Sequence, residues 1–154
     1  MKKIVKVIIS CVCILAVCSL IFSLSARTGS KSDSDSGSVE SILPQGIVDL
    51  LARIFDVEEG KEDAFAEEAL RVTAHFCEFA LLGAVSVLHV SVCSSKNVYI
   101  PSGIFGVLYA VSDEVHQIFV PGRTFQFSDI MTDCLGVFGG LLFCLIILAI
   151  SKKI

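Results

Sequence analysis

Apolar residues fill positions 4–24, interrupted only by Lys6 and a few serines and cysteines, and positions 130–150, interrupted by Asp133 near the start. A helix needs about 20 such residues to cross the hydrocarbon core of a bilayer, within a range of roughly 17 to 25. Both stretches meet that length. Two further segments, 72–92 and 98–120, are apolar with ionisable residues gathered toward one end. Positions 98–111 are too few to cross alone. That helix reaches membrane length only by taking in 112–119, which draws Asp113, Glu114, His116 and Gln117 to the membrane boundary. The pattern predicts an all-α fold, an integral membrane helical bundle of about four transmembrane helices at 4–24, 72–92, 98–120 and 130–150. These spans leave nothing for a second unit, so 1–154 reads as a single membrane domain.

The connections carry their own signals. Within the outer loop 26–71, the Ser/Asp-rich run 30–38 has little to bury. Leu43, Ile47, Leu50, Leu51 and Ile54 then recur at helical spacing, with Asp49 and Arg53 between them. This predicts an amphipathic outer helix lying on the leaflet or packed over the bundle. Charges and Gly60 break it at 58–63, and 64–92 reads as one continuous helix, polar first and apolar later. Pro101 suits a first helical turn, Pro121-Gly122 a turn, and Ser128 an N-cap for the fourth helix. There is no internal repeat.

Composition agrees with the pattern. The 154 residues are 54% apolar and only 18% charged, with a mean hydropathy of +0.80, whereas about a quarter of a soluble domain is charged. Lysine placement gives the orientation. Lys2, Lys3, Lys6, Lys96, Lys152 and Lys153 have no acid nearby, and the excess of basic residues in cytoplasmic segments predicts a multi-pass cell-membrane protein with both termini cytoplasmic. All 16 acids then fall in outer loops or at the outer boundary, and 26–71 alone holds eleven acids against five basic residues, a net of −6. The run 4–24 exceeds the roughly 7 to 15 apolar residues of a secretory signal, so it is read as a retained span rather than one cleaved near Ser23-Leu24-Ser25. A lipoprotein reading of Leu15-Ala16-Val17-Cys18 is set aside because Val17 is too large beside the cysteine. The seven cysteines, at 11, 13, 18, 77, 93, 134 and 144, are an odd number with no CxxC pair. They read as small packing residues, not as a disulfide framework or zinc ribbon.

Three predicted helices bring ionisable residues to the same membrane face. Arg71, His75 and Glu78 lie on one stripe at i, i+4, i+7; Asp113, His116 and Gln117 share a face with Glu114 adjacent; Asp129, Asp133, Gly136 and Gly140 follow i, i+4, i+7, i+11. Arg123 sits in the loop between the last two. Glycines below the carboxylates permit a neighbouring helix to approach closely. A charge at the bilayer centre costs about 2.5–3.5 kcal/mol on insertion scales, so such a cluster faces the bundle interior and function is its default reading. Each residue alone has a plainer one. Asp129 and Asp133 suit the first turns of a helix, where the dipole favours carboxylates; Arg71 can mark the membrane surface; Arg123 can pair with Asp129.

His75-x-x-Glu78 and Asp113-x-x-His116 each offer two ligands one turn apart, a spacing found in carboxylate-rich bundles. An ion-pair network fits them equally, and no metal is assigned. GxSxG, a Gly-rich phosphate loop and HExxH are all missing. Cys77 and Cys134 alone among the thiols lie near the cluster, and His89 reads as an interfacial residue at the other end of its helix.

The motifs Arg71-x-x-x-His75-Phe76-x-Glu78-Phe79-x-x-Leu82-Gly83, Asp113-Glu114-x-His116-Gln117-x-x-x-Pro121-Gly122-Arg123 and Asp129-x-x-x-Asp133-x-x-Gly136 together resemble the VanZ-like family. So does Phe22-Ser23 ahead of a Ser-rich segment. The chain departs from the family in lacking a Gln shortly after that serine, where Arg27 lies close by, in having Phe79 where Tyr is common, and in its long acidic insertion before Arg71. The resemblance implies a small multi-spanning bacterial membrane protein of a group that includes one member associated with resistance to the glycopeptide teicoplanin.

Two functions follow as expectations. In the first, a polar site at the outer face engages an amphiphilic or lipid-linked anionic ligand, with glycopeptide resistance as the outcome. Arg71 and Arg123 would hold the anion through paired N–H groups. His75, Glu78, Asp113, Gln117, Asp129 and Asp133 would line the ligand site, and Glu114 or His116 would be the general base of any reaction. In the second, a non-catalytic structural or regulatory protein uses the cluster as an internal clasp. A transporter ranks third, because four spans are few for a pathway. The expected partners are membrane lipids and a lipid-linked cell-wall precursor or a glycopeptide, with no nucleic acid. The residues specify neither a cofactor nor an oligomeric state.

Overall fold

The computed structural model describes residues 2–26, 53–55, 57–58, 60–93 and 97–151. These form four helices: α1 (Lys2–Ser25), α2 (Glu62–Cys93), α3 (Tyr99–Gln117) and α4 (Phe127–Ser151). The all-α bundle expected from hydropathy is what the chain forms. α1, α2 and α4 are each long and apolar enough to cross a membrane. The amphipathic helix expected around Leu43–Ile54 lies almost entirely outside the described residues.

α3 is the informative exception. Its 19 residues span about 29 Å at 1.5 Å per residue, close to the hydrocarbon thickness of about 30 Å. Its composition holds it back, because Ser102, Asp113, Glu114 and Gln117 are among its residues. All four are buried, while Ile100, Ile104, Leu108, Val111 and Val115 are exposed. The helix is turned inside out relative to a water-soluble one, as a hydrocarbon solvent requires. It ends at Gln117 instead of running to 120. There the chain enters a turn in which the Arg123 N–H donates to the Val120 carbonyl at 3.1 Å, with Pro121 and Gly122 in the middle. Gly122 has φ +79°, the conformation a type II turn asks of the residue after proline. Ser128 is not the cap of α4. The helix begins earlier, with the Asp129 N–H on the Gln126 carbonyl at 3.1 Å, and the Ser128 hydroxyl instead donates to Asp129 at 3.2 Å.

α2 and α4 run parallel and make the most extensive interface, α1 lies against α2, and α3 covers the pair. The α2–α4 contact is a small-residue seam. A Cβ on Gly136 would sit 2.5 Å from the Phe76 carbonyl oxygen; one on Gly140 would strike the Ala80 carbonyl, and one on Gly83 the Val137 carbonyl. In a bilayer there is no aqueous driving force between helices, so backbone proximity of this kind supplies the attraction. α3 docks on the same seam, where a Cβ on Gly106 would meet Val137 at 2.6 Å. Phe79, Leu82, Val87, Ala110, Val137 and Ile21 complete the core. All seven cysteines are free.

α1 is held by contacts at three heights. Ser10 Oγ lies 3.0 Å from His89 Nδ1 on α2, the Tyr109 hydroxyl of α3 donates to the Cys18 carbonyl at 2.6 Å, and Ser25 Oγ donates to Asp113 of α3 at 2.7 Å. The steps of seven or eight residues equal about two helical turns, which keeps the three on one face. His89, read from sequence as interfacial, is therefore an inter-helix link.

Gly140→Val is expected to lower stability by at least roughly 1–3 kcal/mol, the usual cost of overpacking. Gly139→Ala, whose Cβ would meet only the movable Phe76 ring at 3.2 Å, should change little. Thermal unfolding of both variants in detergent checks this.

Candidate functional site

The C-terminal ends of α1 and α3 and the N-terminal halves of α2 and α4 converge on a buried polar cluster. α2 contributes His75, α3 contributes Asp113 and Gln117, α4 contributes Asp133, and the last residue of α1 contributes Ser25. The His75 ring Nδ1 lies 3.2 Å from Asp133 Oδ1. Asp113 Oδ2 accepts from Ser25 Oγ at 2.7 Å and from Gln117 Nε2 at 3.4 Å. One donor atom from each of His75, Asp113 and Asp133 lies within 4.8 Å of the others. Asp133 has no exposed surface, and its second oxygen, Oδ2, has no hydrogen-bond partner.

The seam sets this geometry. Asp133 lies one turn before Gly136 and His75 one turn before Phe79, so the register that brings Gly136 onto Phe76 and Phe79 also brings the imidazole onto the carboxylate. Among the described residues, no arginine or lysine forms an ion pair with Asp113 or Asp133.

The remaining predicted residues lie around this trio. Arg71 pairs with Glu68, one turn earlier on its own helix, and borders a small niche with Val72, His75, Asp129 and Thr132. Glu78 is half-buried on α2 and is not one of the three converging donors. Glu114 is fully buried; its Oε2 accepts the Gln126 N–H at 2.9 Å, which ties α3 to the start of α4, and its Oε1 is unpartnered. His116 lies with its ring centroid 4.3 Å from that of Phe22 on α1, away from the trio, and its Nδ1 is buried without a partner.

Arg123, half-buried in the α3–α4 loop, forms no ion pair with Asp129 or any other described acid, and its Nε is buried and unpartnered. The plain reading of an Arg123–Asp129 pair therefore does not hold.

Sequence reasoning missed Ser25, whose only signal is a serine closing an apolar span on the same stripe as buried Ile21. It also paired the ligands by helix, His75 with Glu78 and Asp113 with His116. The structure takes one donor from each of three helices.

Chemically, the cluster offers an imidazole beside two carboxylates in an apolar bundle. It can hold protons or a cation, and the rim offers one arginine, Arg123, that pairs with no acid among the described residues. A family model described as VanZ/LLP1 matches residues 10–148. No curated protein and no solved structure matches the chain.

A double-mutant cycle on Ser25→Ala and Asp113→Ala should give a coupling of about 0.6–1.7 kcal/mol, the range for hydrogen bonds between membrane helices. Strictly additive unfolding free energies in detergent would mean that the Ser25–Asp113 bond does not form.

Proposed function

The chain belongs to the VanZ/LLP1 family, and from that premise we propose a cell-envelope membrane protein whose outer polar rim engages an amphiphilic or lipid-linked anionic ligand. The observation that carries this reading is Arg123. Its guanidinium is half-buried at the end of the bundle, its Nε is unpartnered, and no described carboxylate neutralises it. A phosphate or carboxylate headgroup would supply the missing acceptors in a charge-assisted, two-pronged contact. Arg71 is the secondary contact, since it must first exchange Glu68 for the ligand. Glu114 and His116, each with a buried unpartnered atom, are the groups available for proton transfer.

The reading extends to four crossings with both termini in the cytoplasm. It is supported by Lys2, Lys3, Lys6, Lys96, Lys152 and Lys153 at one side and by the acids at the other. Protection against teicoplanin-type glycopeptides is the proposed outcome, with a lipid-linked cell-wall precursor or the drug itself as ligand.

The clasp reading draws support from the bonds that knit Ser25, His75, Asp113, Gln117 and Asp133 across four helices. It concerns the buried cluster more than the rim, and the two separate experimentally. In a strain whose deletion is sensitised to lipid-active glycopeptides, Arg123→Ala should abolish most of the protection at unchanged membrane abundance. Asp113→Asn should lose protection in proportion to abundance. Full protection by a normally abundant Arg123→Ala protein would count against the ligand site. For the topology, a fluorescent protein fused after Ile154 should mature in the cytoplasm, and alkaline phosphatase inserted in the segment 27–52 should be active.

A further inference from the structure

Two aspartates sit beside one another in a bundle surrounded by hydrocarbon, and among the described residues the one basic partner of either is His75, on Asp133. Two buried carboxylates cannot both stay charged there without compensation, because each costs several kcal/mol to remove from water. Two bound protons would neutralise them; so would one divalent cation.

We infer that His75, Asp113 and Asp133 form a binding site for a divalent metal ion of the manganese or ferrous class. The donors come from three different helices and lie within 4.8 Å of one another. Two ligands on a divalent ion with bonds of about 2.2 Å, between those of magnesium and calcium, are at most about 4.4 Å apart, so the site closes by shifts of a few tenths of an ångström. A neutral imidazole, two carboxylates and a divalent ion sum to zero charge.

Asp133 gives an observation independent of the clustering. The residue is fully buried, yet its Oδ2 has no hydrogen-bond partner, and a metal would supply the missing contact. Asp113 is already oriented from outside the trio by Ser25 and Gln117, both on Oδ2. Outer-shell partners of this kind hold metal-ligating carboxylates in place. The donor set is one nitrogen and carboxylate oxygen without thiolate, which favours manganese and iron over copper(I) or zinc–sulfur sites.

The test uses the full chain purified in detergent, stripped with a chelator and titrated with Mn2+. Manganese is the probe because the seven free thiols would capture softer ions. Electron paramagnetic resonance follows free and bound Mn2+. One bound ion per chain is expected, with a nitrogen hyperfine coupling from a single imidazole that disappears in His75→Gln. Ser25→Ala, outside the coordination sphere, should weaken binding by at least about tenfold. If the His75 variant fails to fold, the coupling is read in the His89→Gln, His116→Gln double variant, where its retention assigns the imidazole to His75 and its loss overturns the assignment. Bound Mn2+ without nitrogen coupling would place the ion in another acidic cluster and overturn the assignment. Coupling that survives in folded His75→Gln would overturn it as well. Absence of binding would mean that protons neutralise the aspartates. None of these outcomes depends on the Arg123 rim, so the proposed function and the metal site stand or fall separately.

Discussion

The contact between α2 and α4 governs the molecule. Hydrocarbon offers apolar side chains no reason to prefer one another over lipid, so two helices associate through close backbone approach or through polar groups. This chain uses both on the same pair. Gly83, Gly136 and Gly140 bring the backbones together, and the polar bond between His75 and Asp133 lies just beyond the glycines. The seam sets the register, and the register decides which ionisable groups meet. α3 then lays its buried carboxylates over the seam, and α1 adds Ser25 from the side.

Much of this was legible in the sequence because a membrane imposes strong patterns. The apolar runs marked α1, α2 and α4, and the stripe Asp129, Asp133, Gly136, Gly140 announced both a polar end and a close helix neighbour. The stripe Arg71, His75, Glu78 was equally clear, yet its members diverge. Arg71 turns to Glu68, His75 goes to Asp133, and Glu78 joins neither. Helical periodicity puts residues on a face but cannot tell which neighbour that face will meet. Ser25 and His89 escaped for the same reason, since each bonds a residue 88 or 79 positions away. The end of α3 was read three residues too long because apolarity continues through Ile118, Phe119 and Val120, while the turn is dictated by Pro121 and Gly122.

The polar end has two layers with different electrostatics. The inner layer is acidic and carries no arginine or lysine partner among the described residues. The rim layer holds the arginines, one paired with Glu68 and one with no ion-pair partner among the described residues. Glu114 lies between them, anchored to the Gln126 backbone, so the loop that carries Arg123 is tied to the helix that carries Asp113. That hydrogen bond is a direct link between the rim loop and the helix of the buried layer.

The inverted character of α3 bears on how the protein is made. In the four-crossing arrangement, α1 emerges from the ribosome before α3 and can enter the bilayer unaided, because most of its surface is apolar. α3 cannot. An aspartate disfavours insertion by up to about 2.5–3.5 kcal/mol when it lies at a helix centre, and α3 carries both Asp113 and Glu114 in its last turns. Asp113 meets Ser25 of α1 as soon as α3 is made, whereas the Gln126 amide that Glu114 bonds comes only with the loop that follows α3. Stable insertion of α3 would thus wait on the segment that leads into α4. α3 would linger at the insertion machinery until that loop has been made, and a chain truncated before Gln126 would leave Glu114 without its backbone partner.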